Sequence, residues 1–167
     1  GEWRAAVGEA GRKRAELRVE ERVRPQEPAP DLHYLFAPLK HARLDYMVQK
    51  AVEMGASRLQ PVLTRRTQVS RLNRDRMRAN AVEAAEQCGV LTIPEIMPEE
   101  ALPAVLARLE PDRLMVFCDE EAEVRNPVDA LAAHRNRTVK FAVMVGPEGG
   151  FSDEERTVVL RHPSIVR

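Results

Sequence analysis

The sequence predicts an α/β fold in which a mostly parallel sheet is flanked by helices. The first observation is that apolar segments typical of buried strands alternate with segments of helical periodicity from residue 31 onward. The second is a glycine-rich turn at residues 146–150, which follows the apolar run 139–145 and precedes a helix. Ser152 and Glu155 have the spacing of a capping box, which places the start of that helix just after the turn. Ligands of α/β proteins bind at such turns, outside the carboxyl ends of strands.

Charge limits the function classes that the chain fits. Its 167 residues include 26 Lys and Arg and 26 Asp and Glu, so a globally basic nucleic-acid binder is not indicated. Residues 40–78 nevertheless hold ten Lys or Arg against three acidic residues, and residues 99–123 hold eight acidic residues against two Arg. These stretches are either two solvated faces or, for the first, a local basic surface for a polyanion. Charge alone leaves both interpretations open.

Cysteine and histidine usage gives no sign of a metal. Cys88 and Cys118 have neither disulfide-framework nor metal-site spacing, and the four histidines do not cluster. The sequence has no signal peptide and no run of 18 apolar residues, so we expect a cytoplasmic protein.

The first 30 residues predict a separate small unit. Two strands are expected at residues 2–8 and 14–23, and two strands alone are only marginally stable in water. We therefore interpret residues 1–24 as part of a small β-domain. The proline-rich residues 25–30 predict a stiff linker, and residues 31–167 form the α/β domain.

The α/β domain is predicted to begin with a strand at 32–37 and a helix at 41–54 that ends before Gly55. A strand at 59–63, a helix at 74–88 ended by Gly89, an extended piece at 93–96 and a helix at 99–109 follow. A strand at 113–118, a charged loop, a short helix at 128–134, the strand at 139–145 and the start of a strand at 165–167 complete it. The inward faces of the first two helices are expected to carry Leu44, Val48, Ala51 and Val52, and Met77, Ala81, Ala84, Ala85 and Cys88.

The glycine turn is not a nucleotide-phosphate loop of a known pattern. It matches neither GxGxxG nor GxxxxGK[ST], and no lysine follows it to reach a phosphate. Glu148 would also repel a pyrophosphate. A ligand with a neutral or positive contact group suits the turn better, and the alternative is a plain strand-to-helix turn without a ligand.

Four ordered motifs resemble one family. Residues 145–152 (VGPEGGFS) are similar to the signature of the ribosomal RNA small subunit methyltransferase E family, which belongs to the SPOUT class of knotted methyltransferases. The other three are residues 49–56 (QKAVEMGA) preceded by Lys40 and Arg43, Pro61 with TRRT at 64–67, and AEQCG at 85–89 with PEI at 94–96. The resemblance covers residues 31–167, and it extends to residues 1–24 as the end of the family's PUA-like barrel.

Two departures from the family pattern affect the site. Val90 stands where the family has an arginine. The family's last motif, which completes the knot and one wall of the pocket for the methyl donor, does not occur in the sequence up to Arg167. The resemblance therefore places the expected catalytic arginine beyond Arg167, and it implies an inactive chain if that segment is truly absent.

The resemblance implies methyl transfer from S-adenosylmethionine to N3 of a uridine in 16S rRNA, by a homodimer and without a metal. The residues implied for donor binding are Phe117, Cys118, Met144, Val145, Gly146, Pro147, Glu148, Gly149 and Gly150. Those expected to bind RNA, near helix starts and in loops, are Lys40, Arg43, Arg65, Arg66, Arg71 and Arg74. A core role for Phe117 and Cys118 stays open.

The catalytic base is not identified. Glu86 and Gln87 lie on the polar side of a predicted helix, where they either face the substrate base or belong to a solvated surface. Two alternative functions also remain: a SPOUT methyltransferase acting on another RNA such as tRNA, and a non-catalytic RNA-binding module of the same fold.

Overall fold

The computed structural model describes residues 1–69, 71–123, 126–132, 134 and 140–167. In chain order the elements are β1 (Glu2–Ala10), β2 (Ala15–Arg24), β3 (Leu32–Phe36), α1 (His41–Glu53), β4 (Arg58–Leu63), α2 (Arg74–Cys88), β5 (Glu95–Ile96), β6 (Glu100–Ala101), α3 (Leu102–Ala107), β7 (Leu114–Cys118), α4 (Pro127–Ala132), β8 (Phe141–Val145), α5 (Asp153–Leu160) and β9 (Ile165–Val166). Within the described ranges, no helix combines the length and the apolar character that crossing a membrane requires.

A seven-stranded sheet organises the α/β part of the chain. Six strands lie in the order β5-β4-β3-β8-β7-β9, and β6 pairs with the carboxyl-terminal end of β4. Each of these pairings is parallel. The predicted fold class, a mostly parallel sheet flanked by helices, is confirmed. The start of a strand predicted at residues 165–167 is β9, which pairs with β7.

The sheet has an apolar core on each face because side chains alternate along a strand. Leu35 and Phe36 are neighbours in β3 but belong to opposite cores. The first core, against α3 and α5, contains Leu35, Val62, Leu102, Val105, Leu106, Met115, Phe117, Ala142, Met144, Phe151 and Val159. The second core, against α1 and α2, contains Phe36, Leu44, Val48, Val52, Ala56, Leu59, Met77, Ala81, Ala84 and Ala85.

Helix α2 has the bounds that its end signals predict. The Asn73 side chain accepts a hydrogen bond from the Arg76 N–H at 3.0 Å, and Gly89 ends the helix in the left-handed region, with φ of 65°. The prediction that Cys88 faces inward is wrong, because its side chain is exposed in the last turn, beyond the buried part of the core. In α1, Ala51 is only partly buried, whereas the other predicted inward residues are buried.

The predicted helix at 99–109 is too long. Only Leu102–Ala107 is helical, and Glu100–Ala101 instead forms β6 by pairing with Val62 and Leu63. The extended piece predicted at 93–96 is a strand only at Glu95–Ile96. The short helix predicted at 128–134 is α4. Of the strand predicted at 139–145, Val139 lies outside the described residues.

The strands β1 and β2 form an antiparallel hairpin that is separate from the main sheet. Its large apolar side chains are exposed: Trp3, Val7, Leu17, Val19 and Val23. The Arg24 guanidinium donates two hydrogen bonds of 3.1 Å to the Gly89 carbonyl, and Gln26 donates one of 2.9 Å to the Leu91 carbonyl. These bonds join the hairpin and the proline-rich segment to the end of α2.

A buried arginine joins the amino ends of the central strands. Arg113 is 2% exposed and donates hydrogen bonds to Asp31 and Glu110, both at 2.6 Å, and to the Phe141 carbonyl at 2.9 Å. With both carboxylates and a carbonyl as acceptors, the charge of Arg113 is compensated although it is withdrawn from water. The Arg113 guanidinium and its two carboxylate partners all lie close enough to His33 to act on its charge.

We expect His33 to make stability depend on pH. Burial, followed by the positive charges of Arg113 and Arg58, lowers the pKa of His33 from 6.5 to about 4, although Asp31 and Glu110 oppose the shift. Between these two values the unfolded chain binds a proton that the folded chain does not, so stability is complete above pH 6.5 and falls as the pH drops toward 4. Relative to His33→Gln, the wild-type protein should lose about 2 kcal/mol of unfolding free energy between neutral pH and about pH 4.5.

Urea unfolding of both proteins at the two pH values measures this difference. Since all other groups titrate alike in the two proteins, an identical pH dependence would show that His33 is protonated as easily in the folded state as in the unfolded one.

Candidate functional site

The loops that follow the strands meet at one edge of the sheet, because the strands are parallel. The central contact at this edge is a hydrogen bond of 3.0 Å from the Ala37 N–H, just after β3, to the Val145 carbonyl at the end of β8. The glycine turn, residues 146–150, starts directly after this bond. The edge therefore brings together the residues that follow β3, β4, β7 and β8.

Two glycines of the turn are required by its own packing, each for a different reason. A Cβ on Gly146 would lie too close to the nearest ring atom of Phe151 for a real contact. Gly150 has φ of 69°, donates its N–H to the Pro147 carbonyl at 2.9 Å, and leaves no room for a Cβ beside the Glu120 carboxylate.

Gly149 is the member of the turn that folding does not require. A Cβ added there would make only ordinary contacts, the nearest at 3.5 Å from the Arg66 side chain. Among the described residues, neither its N–H nor that of Glu148 has a hydrogen-bond acceptor within the chain. The turn therefore offers two backbone donors and, at Gly149, an exposed residue without a side chain, which suits a ligand held by backbone groups.

The predicted capping box is confirmed. The Ser152 hydroxyl accepts a hydrogen bond from the Glu155 N–H at 3.3 Å, and the Glu155 carboxylate accepts one from the Ser152 N–H at 2.9 Å. This reciprocal pair starts α5 immediately after the glycine turn, so the turn is fixed at both ends.

Half of the arginines and lysines predicted to bind RNA contact the glycine turn or the first turn of α5. Arg43, from α1, forms an ion pair with Glu148, and Arg66 donates a hydrogen bond of 2.5 Å to the Gly149 carbonyl. Arg65 reaches Glu154 at 3.3 Å with its side chain. The sequence predicts that Glu148 repels phosphate, but that prediction does not take the ion pair with Arg43 into account. Arg43 compensates the negative charge of Glu148.

The other three predicted cations, Lys40, Arg71 and Arg74, are exposed. None of them has a carboxylate within 4.0 Å in the part of the chain that the structure describes. Lys40 precedes α1, Arg74 begins α2, and both Lys40 and Arg71 line a cleft between these helices. These side chains remain available for phosphate oxygens.

The residues predicted for the donor pocket divide into buried and accessible ones. Phe117 is 1% exposed and packs edge-to-face on Phe151, with ring centroids 4.9 Å apart, so its side chain belongs to the first core. Met144 is 1% exposed, and it too lies in that core. Val145 is 36% exposed, and Cys118 is exposed at the end of β7, where partial burial raises the pKa of its thiol.

A charge network that sequence patterns did not reveal holds the loop after β7 against α5. Arg156 contacts Asp119 at 3.1 Å and both Glu120 and Glu121 at 2.9 Å. Arg167 reaches the other oxygen of Asp119, whose side chain is fully buried, at 2.9 Å. Three members of the acidic stretch, residues 119–121, thus contact α5, and Glu120 also lies beside Gly150 of the glycine turn.

Glu86 and Gln87 lie in the last turn of α2, at the opposite end of the helix from Arg76, which contacts Asp45 of α1. They are exposed at the end of α2, whose 15 residues rise about 22 Å from its start beside α1. The neighbouring Gly89 contacts Arg24 of the hairpin instead. Val90, which replaces the family's arginine, packs against the second core.

A cavity of about 320 Å³ lies elsewhere, beside α3 and the amino ends of β3 and β4. Its lining includes Arg113 and Glu110, which pair with each other, and His33. Because these charges already have partners and the carboxyl edge is the usual ligand site of parallel sheets, the glycine turn is the stronger candidate. Among the described residues, no group of three or more His, Cys, Asp or Glu could hold a metal ion.

Sequence comparison identifies relatives of this chain. The chain is 26% identical over 155 residues to the ribosomal RNA small subunit methyltransferase E of Rickettsia conorii, covering 93% of this chain and 62% of the relative. It is 27% identical over 125 residues to the protein of that name from Bacillus subtilis, covering 70% and 49%. The chain thus spans about half to three fifths of the length of these relatives.

Solved structures share the fold. The Neisseria gonorrhoeae ribosomal RNA small subunit methyltransferase E bound to S-adenosyl methionine superposes with a TM-score of 0.81 at 24% identity, covering 97% of this chain and 68% of that one. A putative methyltransferase from Legionella pneumophila, in complex with the same cofactor, gives 0.79 at 22% identity, covering 96% and 67%.

A family model described as an RNA methyltransferase domain matches residues 25–164, which include every strand of the parallel sheet except β9. The resemblance drawn from the four motifs is thereby confirmed, and the chain belongs to the RNA methyltransferase domain family.

Proposed function

We propose that this chain methylates N3 of a uridine in 16S rRNA with S-adenosylmethionine as donor. The observation that carries the proposal is the glycine turn, whose Glu148 and Gly149 N–H groups have no acceptor among the described residues, beside basic loops at the same edge of the sheet. The names of the relatives and the donor bound in the Neisseria structure support it.

The donor would lie against the turn and the ends of β7 and β8. Backbone groups of residues 146–150 offer hydrogen bonds without side chains in the way, Val145 offers an exposed apolar contact, and Cys118 an accessible wall. Phe117 and Met144 support this wall from the core. The donor supplies the methyl group as a sulfonium, and the residues of the turn serve to hold it within reach of the base.

The RNA would approach over the basic loops. Among the described residues, Lys40, Arg71 and Arg74 have no carboxylate partner and provide positive charges for phosphates, whereas Arg43 and Arg65 are exposed but already paired with Glu148 and Glu154. We assign no catalytic role to Glu86 or Gln87, because nothing in the described residues connects the end of α2 with the glycine turn. The proposal includes a homodimer, and it assigns residues 1–24 to a PUA-like domain and residues 25–30 to a linker.

Methyl transfer tests the substrate directly. The protein is incubated with methyl-labelled S-adenosylmethionine and either small ribosomal subunits that lack the modification or unmodified tRNA. Label in 16S rRNA, recovered as N3-methyluridine after nuclease digestion, is the expected result. Label confined to tRNA would favour a methyltransferase that acts on tRNA. RNA binding that does not depend on the donor, without methyl transfer, would favour a non-catalytic RNA-binding module.

We expect Gly149→Leu to weaken donor binding at least tenfold, because its side chain would occupy the space above the free backbone donors. The control is Gly11→Leu in the hairpin turn, where a Cβ meets only the Arg14 carbonyl, at 3.7 Å. Both variants should keep their stability within about 1 kcal/mol of the wild type, since neither glycine has a positive φ. Calorimetric titration with S-adenosylmethionine gives the affinities, and equal affinity in the two variants would exclude the turn as the donor site.

Neutralising Lys40, Arg71 or Arg74 with glutamine should weaken RNA binding. The slope of log affinity against log salt should fall by about 0.7 to 0.9 for each phosphate that the variant no longer neutralises. Arg161→Gln, which removes an exposed charge at the other end of α5, is the matched control. Fluorescence anisotropy with a labelled 16S rRNA fragment at several salt concentrations measures the slope. A slope that is unchanged in all three variants would place the RNA on another surface.

A further inference from the structure

We propose that Glu155 is a positioning residue that holds the basic loop after β4 against the start of α5, directly after the glycine turn, so that RNA and donor bind cooperatively. The inference rests on the proposed function. Glu155 is the acidic partner in the capping box of α5, and its second carboxylate oxygen makes a contact that capping does not require.

One carboxylate contacts two distant parts of the main chain. Its Oε2 accepts the Ser152 N–H at 2.9 Å, and its Oε1 accepts the Arg65 N–H at 2.7 Å. Arg65 is 90 residues away in the sequence. Both donors are backbone groups and the acceptor is charged, so these bonds fix the path of the chain more firmly than contacts between flexible side chains would.

The loop that Glu155 holds is itself a closed unit. The Thr64 N–H donates to the Thr67 hydroxyl at 2.9 Å, the Thr67 N–H donates to the Thr64 carbonyl at 3.1 Å, and the two hydroxyls lie 2.8 Å apart. Fixing the N–H of Arg65 therefore fixes the whole turn. It also sets the position from which Arg66 reaches the Gly149 carbonyl at 2.5 Å.

The result is a continuous connection from the RNA side to the donor side. Arg65 and Arg66 present their exposed side chains to RNA, while Glu155 and the Gly149 carbonyl belong to the segment that holds the donor. A ligand that orders one side spares the other ligand part of the ordering cost, and this coupling must be the same in both directions.

Capping of α5 is the competing explanation, and two variants separate it from the connection. Ser152→Ala removes the hydroxyl that caps α5 but leaves both bonds of the Glu155 carboxylate. Glu155→Ala removes those two bonds. A loss of function that comes from a weakened helix start should appear in both variants, whereas a loss of the connection should appear only in Glu155→Ala.

The experiment has two readouts. Amide hydrogen exchange by NMR reports the Arg65 N–H, whose protection should fall about tenfold in Glu155→Ala and stay near the wild-type value in Ser152→Ala. Anisotropy with a labelled uridine-containing RNA oligonucleotide, with and without saturating S-adenosylhomocysteine, gives the ratio of RNA affinities. We expect a ratio of at least about fivefold in the wild type and in Ser152→Ala, and a ratio near one in Glu155→Ala.

Unchanged Arg65 exchange in Glu155→Ala would overturn the inference, as would a wild-type ratio of one or an equal loss of the ratio in both variants. Failure of the wild-type protein to bind S-adenosylhomocysteine or S-adenosylmethionine would count against the proposed function itself. A protein that binds the donor but keeps its affinity ratio in Glu155→Ala would contradict this inference alone.

Discussion

The parallel pairing of β3 with β8 is the constraint on which the site depends. It runs in register from Leu32 opposite Phe141 to Phe36 opposite Val145, and the Ala37 N–H continues it to the Val145 carbonyl. This pairing brings the loop before α1 beside the glycine turn, and β4 and β7 on either side add the basic loop and the acidic loop. A slip of one residue would exchange the two faces of the strand and separate Arg43 from Glu148.

Opposite charges at the carboxyl edge position the loops more than they stabilise the fold. The pairs of Arg43 with Glu148 and of Arg65 with Glu154 are solvent-exposed, and such pairs contribute little to stability. Their effect is to aim the loops at the turn. The buried pair of Arg156 and Asp119 differs, because removing either partner would leave a charge without compensation inside the protein. A chain with no net charge thus has a basic and an acidic loop on opposite sides of one turn.

Local signals were sufficient to predict the elements that have their own end signals. Helix α2 lies between Asn73 and Gly89, and the capping box locates α5, so both starts were predicted correctly. Residues 99–101 carry the acidic pattern of a helix start, but the Glu99 carboxylate accepts the Leu72 N–H at 2.6 Å and the next two residues pair with β4. Those contacts, like the pair of Arg43 with Glu148 over 105 residues, depend on tertiary register, for which a single sequence has no local signal.

The central pairing also bears on how the protein folds. Strands β3 and β8 can meet only after most of the domain between them has been synthesised and brought into a closed loop. Such non-local pairing is slow, because the entropy of closing the loop is lost before the contacts form. The hairpin and the unit of β3, α1 and β4 depend on near neighbours and can form early. We therefore expect the carboxyl edge to be among the last regions to assemble, with its three glycines and its paired arginines taking up their positions once the sheet is complete.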